Sequence, residues 1–389
     1  MNYQIVMYDK ASKEETFKAN FTEDMQGVSW DSLIQGGSGT DMYSIIDISN
    51  EPHTIVVQDK EVDETLYSNI RSNIFNYRKD LLQNRPIAKL TGQPISDAMA
   101  DILERLDGGE YVSMDEIYNL PEILTAESNM EFSTPSIMLK HREFIQEKAI
   151  NTLLDFGSVL MQQNGKALVD ENNDVVYNGV VNKEKRLDIV IGLPASGKSS
   201  AITNPVSDEF NMKVIDNDEA KKQIPQYNNG WGACVVHEEA KYIERVVFRK
   251  TLQDGDNIII PKVGGDAQNL IDNYITRAKE YGYTINVHYV ELPREKALGR
   301  MIRRYIDTGR YLEPKLIDKY VNNVDGNKIE KCYEELKSSG LINGWSKWDN
   351  DVAKGESPKL VESFNLEGNY IDNSKNLDDE ADVINQIRR

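Results

Sequence analysis

Residues 192–199 read Gly192-Leu-Pro-Ala-Ser-Gly-Lys198-Ser199 and follow directly on the apolar run Leu187-Asp-Ile-Val-Ile191. A strand that ends on such a loop and opens into a helix constrains the fold more than any other stretch of the chain. The loop backbone must curl until successive N–H groups converge on one point, with the positive end of the helix dipole behind them, and that arrangement stabilises phosphate oxygens. Gly192 and Gly197 supply the turns. Lys198 carries a point charge to the β- and γ-phosphates, and the small hydroxyl of Ser199 suits a Mg²⁺ ligand position. The expected nucleotide contacts are therefore Gly192, Pro194, Ala195, Ser196, Gly197, Lys198, Ser199 and Ser200, with ATP or GTP as the ligand. A ligand-free glycine turn is the competing reading; the strand before the loop and the helical signal at Ser199–Ile202 argue against it.

Beyond Lys185, apolar runs at Leu187–Ile191, Lys213–Asp216, Asn257–Ile260 and Ile285–Leu292 alternate with helical periods. This alternation predicts an α/β fold, a P-loop kinase-like parallel sheet with helices on both faces, over residues 186–389. Upstream, short runs at Tyr3–Met7, Tyr43–Ile48 and Thr54–Gln58 are separated by turn residues, and Leu66, Ile70 and Ile74 recur at helical spacing. Residues 1–130 are accordingly expected to form a separate mixed α+β domain. Residues 131–185 are expected to hold a helix over Pro135–Met161, with Ile137, Phe144, Ile145, Ala149, Leu153 and Phe156 on its apolar face, followed by a linker or hairpin.

Val214-Ile215-Asp216-Asn217-Asp218 places two carboxylates at the carboxyl end of a strand, the edge at which open α/β sheets bind ligands. An aspartate there can take the proton of an attacking hydroxyl and aim it at a γ-phosphate, the role expected of Asp218. Asp216 is expected either to cap the helix that follows or to contact metal or substrate. Downstream, Arg300, Arg303, Arg304 and Arg310 crowd into one stretch. A solvated basic face would read the same way, but the position after a strand and a Pro293-opened helix is that of a kinase lid, whose cations neutralise a transferring phosphoryl group.

The composition narrows the partners. A formal charge of −19 over 389 residues disfavours long-range attraction to nucleic acid, and no segment approaches the length of a membrane span. The N-terminus lacks the basic and apolar regions of a signal peptide, and Cys234 and Cys332 stand far apart, so a cytoplasmic setting is expected.

From about Leu187 to Asn350 the chain resembles the zeta-toxin family of P-loop kinases, whose members phosphorylate UDP-N-acetylglucosamine and so interfere with bacterial wall synthesis. The family's strand ending Ile-Asp-Asn-Asp has its counterpart in Ile215–Asp218, which implies Asp218 as base. Its two lid arginines have counterparts in Arg304, within Arg303-Arg304-Tyr305, and in Arg310 ahead of Pro314-Lys315. Glu244 is the nearest match to a sugar-contacting glutamate, and Trp345–Asn350 looks like the segment near the adenine. The chain departs from the family after the third strand, where a Glu-Gly-Thr sequence gives way to Pro261-Lys262-Val263-Gly264-Gly265. Lys262 is then expected either to contact an anionic acceptor or to be a surface lysine. The resemblance further implies a small-molecule hydroxyl acceptor, such as a nucleotide sugar, and a restraining antitoxin in cis or in trans. The helix around Pro135–Met161 is a cis candidate, with simple packing against the kinase as its alternative.

Three other functions stay open on the residues. A GTPase switch should carry Asn-Lys-X-Asp and a motor ATPase a strand ending Asp-Glu, and the sequence offers neither in place. A polynucleotide kinase shares the loop and the aspartate, and a nucleotide-binding effector would bind without turnover.

Overall fold

The computed structural model describes residues 2–22, 25–29, 41–49, 53–62, 66–81, 86–88, 92–131, 142–230, 232–233, 235–322, 326–353 and 356–371. The chain divides into two compact units, Met1–Arg85 and Pro86–Arg389.

In the first unit β1 (Asn2–Asp9), β2 (Glu15–Thr22), β3 (Asp41–Asp47) and β4 (Thr54–Glu61) form an antiparallel sheet in the order β2-β1-β3-β4, followed by α1 (Leu66–Leu81). Tyr3, Ile5 and Met7 alternate along β1 and share one core with Leu66, Ile70 and Ile74, which repeat every four residues on α1. Period two on the strand and near-period four on the helix bring those two stripes face to face.

The second unit opens with α2 (Asp97–Asp107), α3 (Met114–Tyr118), α4 (Pro121–Glu131) and α5 (Glu143–Asp155). Ser96 caps α2 by accepting from Met99 N at 3.1 Å, and a Ser113/Glu116 capping box starts α3. Next come β5 (Ser158–Val159), β6 (Tyr177–Gly179), β7 (Arg186–Ile191), the helical pair Ser199–Thr203 and Asn204–Glu209 (α6), β8 (Lys213–Val214), α7 (Asn217–Lys222), α8 (His237–Asp254) and β9 (Ile258–Lys262). A helical run from α9 (Ala267–Leu270) through Thr276–Glu280 leads to β10 (Thr284–Glu291), α10 (Arg294–Thr308), α11 (Lys315–Tyr320), α12 (Lys328–Ser338), β11 (Gly344–Asp349) and β12 (Lys359–Phe364). The sheet order is β12-β11-β10-β7-β9-β8-β5-β6; β11, β10, β7, β9 and β8 run parallel, and β12 and the β5–β6 hairpin add antiparallel edges.

Both faces of the sheet are covered, and the strands show it. Leu187, Ile189 and Ile191 point into one core with Ile258, Ile260, Val287 and Tyr289, whereas Val190, Ile259 and Val290 point into a second with Ile202, Val206 and Trp348. At about 1.5–3 kcal/mol for each buried aliphatic side chain, this two-sided burial is what makes the runs continuous rather than alternating. Asp188 also lies on the second face and is fully buried. Arg186 Nε and Asn286 Nδ2, each 2.6 Å from its carboxylate, satisfy the charge.

Two expectations change. The boundary near residue 130 falls instead at Arg85, because Met99, Leu103, Leu106, Ile117, Leu120 and Ile123 share a core with Met301, Ile302 and Tyr305. The helix expected over Pro135–Met161 is described over Glu143–Asp155, its start lying outside the described residues. It stops because Gly157 must approach the β6 backbone so closely that a Cβ would stand 2.0 Å from Gly179 O, and Lys213 Nζ caps the helix end at Leu154 O and Phe156 O. Ala149 and Leu153 are buried as expected, but Phe144 is 79% exposed. Of the linker or hairpin expected over 162–185, the paired part lies within 158–179, where Ser158–Val159 pairs with Tyr177–Gly179 and bridges join Met161 to Ala167 and Val169 to Val175.

Candidate active site

β7 delivers the chain to the loop between two parallel neighbours, with Ile191 opposite Lys262 of β9 and Tyr289 of β10. Gly192 N donates to Val263 O at 3.1 Å, and a side chain at 192 would place its Cβ 2.5 Å from Val290 O and 2.7 Å from Ser196 Oγ. Gly197 adopts φ +86°, and a Cβ there would stand 2.3 Å from Asn350 Nδ2. That amide donates to Ser196 O at 2.6 Å, while Arg300 Nη2 donates to Asn350 O at 3.0 Å. Asn350, which the sequence associates with the adenine, thus makes its hydrogen bond to the loop itself. Ala195 also sits at positive φ, as the curl requires.

Lys198 Nζ folds over the loop and donates to Gly192 O at 2.8 Å and Leu193 O at 2.7 Å. Burial brings its pKa down to about 8, with the charges of Arg304 and Arg310 acting in the same direction and those of Asp216 and Asp218 opposing. Ser199 and Ser200 are exposed at the start of the helix, and the hydroxyl of Ser196 is buried without a hydrogen-bond partner.

Two strands away, β8 ends and Asp216 caps α7, its Oδ1 accepting from Asp218 N at 2.9 Å. Burial raises the Asp216 pKa, and the Asp218 carboxylate raises it further. Asp218 meets Arg310 Nη2 at 2.5 Å and Lys221 Nζ at 3.3 Å. Burial alone would push this carboxyl up; the guanidinium of Arg310 and the ammonium of Lys221 prevail and hold it well below the usual carboxylate range. Arg310 is 7% exposed, yet its Nε and Nη1 have no hydrogen-bond partner. Arg304 lies close enough to act on Lys198, Asp218 and Arg310, and it stays solvent-exposed.

Lys198, Asp216, Asp218, Arg304 and Arg310 therefore share one electrostatic neighbourhood at the carboxyl edge of the sheet. Buried donors on Arg310, a buried hydroxyl on Ser196 and both polar atoms of the Asn217 side chain have no partner among the described residues, and the Arg310 donors suit an anion. The oxygens of Asp216 and Ser199 suit Mg²⁺, since a carboxylate whose pKa is raised by burial and a neighbouring anion gains from a cation. No group of three or more His, Cys, Asp or Glu that could hold a metal occurs among the described residues. A Mg²⁺ shared between one or two protein oxygens and substrate phosphates needs none.

Glu244 and Lys262 come together, but with each other. Lys262 Nζ lies 2.6 Å from both Glu244 oxygens, and Tyr274 OH donates to Glu244 Oε1 at 2.9 Å. Burial would lower the Lys262 pKa, yet the Glu244 carboxylate raises it. Lys262 is thus neither a lone surface lysine nor an uncommitted cation, because its charge is already matched. Lys221 and Tyr274 are not marked by the sequence; only the Asp218/Lys221 spacing of three on a short helix could have signalled one of them.

A strand, a phosphate loop, a carboxylate at the next strand's end and an arginine-bearing helix define a nucleotide-binding P-loop kinase domain. Residues 174–336 match the family model described as Zeta toxin. Similar solved structures include that of the PezAT chromosomal toxin-antitoxin system of Streptococcus pneumoniae, at 18% identity over 47% of this chain and 72% of that one, with a TM-score of 0.37. Another is the AvrRxo1-ORF1:-ORF2 complex with ATP, at 16% identity over 69% and 82% of the two chains, with a TM-score of 0.41. The Pnkp1/Rnl/Hen1 RNA repair complex matches at 21% identity over 39% and 45%, with a TM-score of 0.30. No curated protein sequence matches the chain. Among the described residues, no helix is long and apolar enough to cross a membrane.

Proposed function

We propose that the protein is a Mg²⁺-dependent phosphotransferase that moves the γ-phosphoryl group of ATP or GTP to a hydroxyl of a small molecule, a nucleotide sugar such as UDP-N-acetylglucosamine being the first acceptor to test. The observation that carries this reading is the approach of Arg310 to Asp218 at 2.5 Å beside the phosphate loop, with two further Arg310 donors left unpaired. In the proposed reaction the loop N–H groups and Lys198 hold the β- and γ-phosphates, and Arg304 and Arg310 neutralise charge as it spreads over the transferring group. Asp218 accepts the proton of the acceptor hydroxyl as its oxygen bonds to phosphorus and the nucleoside diphosphate leaves. Ser199 and Asp216 would hold the Mg²⁺, which supplies charge neutralisation between the β- and γ-phosphates when bound.

The same reading includes toxin-like action restrained by an antitoxin. A partner in trans fits it better than the cis candidate, since the described hydrogen bonds joining Arg142 and α5 to the rest of the unit run to Glu239, Gln226 and Lys213, not to residues 192–199. The test is to incubate the protein with ATP or GTP, Mg²⁺ and pools of nucleotide sugars or nucleic-acid ends, and to look by mass spectrometry for a gain of one phosphoryl group. A product on nucleic-acid ends alone would replace the small-molecule acceptor. Nucleotide binding with no product from any pool would replace the kinase by a nucleotide-binding effector.

A further inference from the structure

The segment that carries Arg310 is tied to helices from well upstream in the chain. Tyr305 OH donates to Glu122 O at 3.1 Å, Tyr311 OH donates to Glu127 Oε1, and Tyr118 OH accepts from Lys315 N at 3.3 Å. Arg303 pairs with Asp107, and Gly299 packs so closely on α2 that a Cβ would stand 3.3 Å from Leu106 Cβ. Ile123 of α4 faces Met301, Ile302, Tyr305, Tyr311, Leu312 and Pro314. Tyr305 and Tyr311 also meet edge to face at 5.4 Å, which fixes the turn after Gly309. A kinase lid that opens and closes needs an arginine segment whose contacts are few and wet, because low local stability is what permits the motion. Residues 309–314 show the opposite: Gly309, Arg310 and Tyr311 are buried, and the tyrosine next to Arg310 is held from another helix.

We propose that α2, α3 and α4 form a built-in brace for the arginine segment, and that Tyr311, held by Glu127, is the positioning residue that keeps Arg310 directed into the phosphate site before any nucleotide arrives. This rests on the phosphotransfer reading for its kinetic consequence but not for its structural one. Preorganisation of this kind lowers the ordering cost of the catalytic geometry, and its loss is felt through Arg310 alone.

The experiment uses the full chain with Tyr311→Phe, Glu127→Ala and Glu127→Gln, each with Arg310 present and with Arg310→Ala. Amide hydrogen exchange over residues 309–314 is measured without nucleotide. Tyr311→Phe and Glu127→Ala should each speed it by about 10-fold or more, while Glu127→Gln, which keeps an acceptor oxygen, should stay near wild type. Phosphotransfer should fall by about 10-fold in kcat for the first two variants, and neither should cause further loss once Arg310 is absent. Unchanged exchange would overturn the brace, as would an equal kinetic loss in both backgrounds, which marks a merely structural effect. If the wild-type chain transfers no phosphoryl group, the phosphotransfer reading fails and ATP affinity replaces kcat as the second readout. A loss of affinity on Tyr311→Phe that disappears without Arg310 then upholds the brace, and any other pattern removes it.

Discussion

Replacing Asp218 by Asn separates the chemistry of the site from its hold on nucleotide. The substitution keeps shape and removes one charge, so it deletes the proposed base and the charge that pairs with Arg310 at 2.5 Å, leaving at most a neutral acceptor there. A positioned general base contributes about 10²–10⁴-fold, so kcat should fall by that factor, equivalent to roughly 3–5 kcal/mol of transition-state stabilisation. Stability should fall as well. Breaking a fully buried ion pair costs about 3–5 kcal/mol, but the Asp218 side chain is 28% exposed, so roughly 1–3 kcal/mol is expected in the nucleotide-free protein. The nucleotide should restore this, because a triphosphate offers the stranded guanidinium a new anion. Affinity should therefore be unchanged or tighter by up to about 10-fold, since a carboxylate that repelled the γ-phosphate and competed for Arg310 has gone. Calorimetric titration with ATP and Mg²⁺, product mass spectrometry and thermal melts with and without nucleotide read the three effects. A variant with kcat within 10-fold of wild type, or with nucleotide affinity weakened more than 10-fold, would refute the reasoning by showing another group to be the base or Asp218 to be a nucleotide ligand.

Gly197→Ala should weaken nucleotide binding by at least about 10-fold while the protein stays folded, because its Cβ would meet Asn350 Nδ2 at 2.3 Å at a backbone angle that disfavours a side chain; equilibrium titration checks it. The Lys198 ammonium has its pKa lowered to about 8, so its charge is complete below that pH and is lost as pH rises through it. Affinity of the free protein for nucleotide should then fall by up to about 10-fold per pH unit above 8, a slope that Lys198→Arg should flatten. Lys262→Met leaves the 1% exposed Glu244 as an unpaired buried charge and should cost roughly 3–5 kcal/mol, most of it recovered by adding Glu244→Leu, as denaturant unfolding can show. Removal of residues 1–131 should abolish folding of the remaining chain, because Met99, Leu103, Leu106 and Ile123 leave the core shared with Met301 and Tyr305, whereas removal at Arg85 leaves that core whole; circular dichroism separates the two outcomes.

What could be read from the letters was whatever a local rule dictates. Leu187–Ile191 and Ile285–Leu292 were legible as strands because a strand buried on both faces needs apolar residues at almost every position. The loop was legible because each of its residue types answers to a backbone or phosphate requirement. β2 was not, since as an edge strand it exposes Glu15, Phe17 and Lys18 and carries no buried alternation. Phe144 fits the helical period of its segment yet faces solvent, so periodicity alone could not say that Ala149, Ile150 and Leu153 make up the buried stripe. The pairing of Lys262 with Glu244 spans 18 residues, and that of Tyr311 with Glu127 spans 184. Neither distance is written in a spacing, and the second is why a boundary drawn at residue 130 cut through one core.

The charges around the loop explain why such a crevice should tolerate its own strain. Asp216 and Asp218 lie close enough to raise one pKa through the other, and Arg310 and Lys221 hold the second acid ionised. Arg310 places one Nη on Asp218, and its Nε and second Nη are buried without a hydrogen-bond partner among the described residues. On the proposed reading those donors are free to meet a phosphate oxygen, and charge-assisted hydrogen bonds of this kind favour an anion. The arrival also draws Arg310 away from Asp218, and a carboxylate relieved of its guanidinium is a stronger base. On the proposed reading the acid therefore gains basicity only once the phosphoryl group it serves is in place, which ties proton removal to occupancy of the loop. The brace on Tyr311 fits this exchange, because the arginine has only to swing between two nearby anions while its backbone stays fixed.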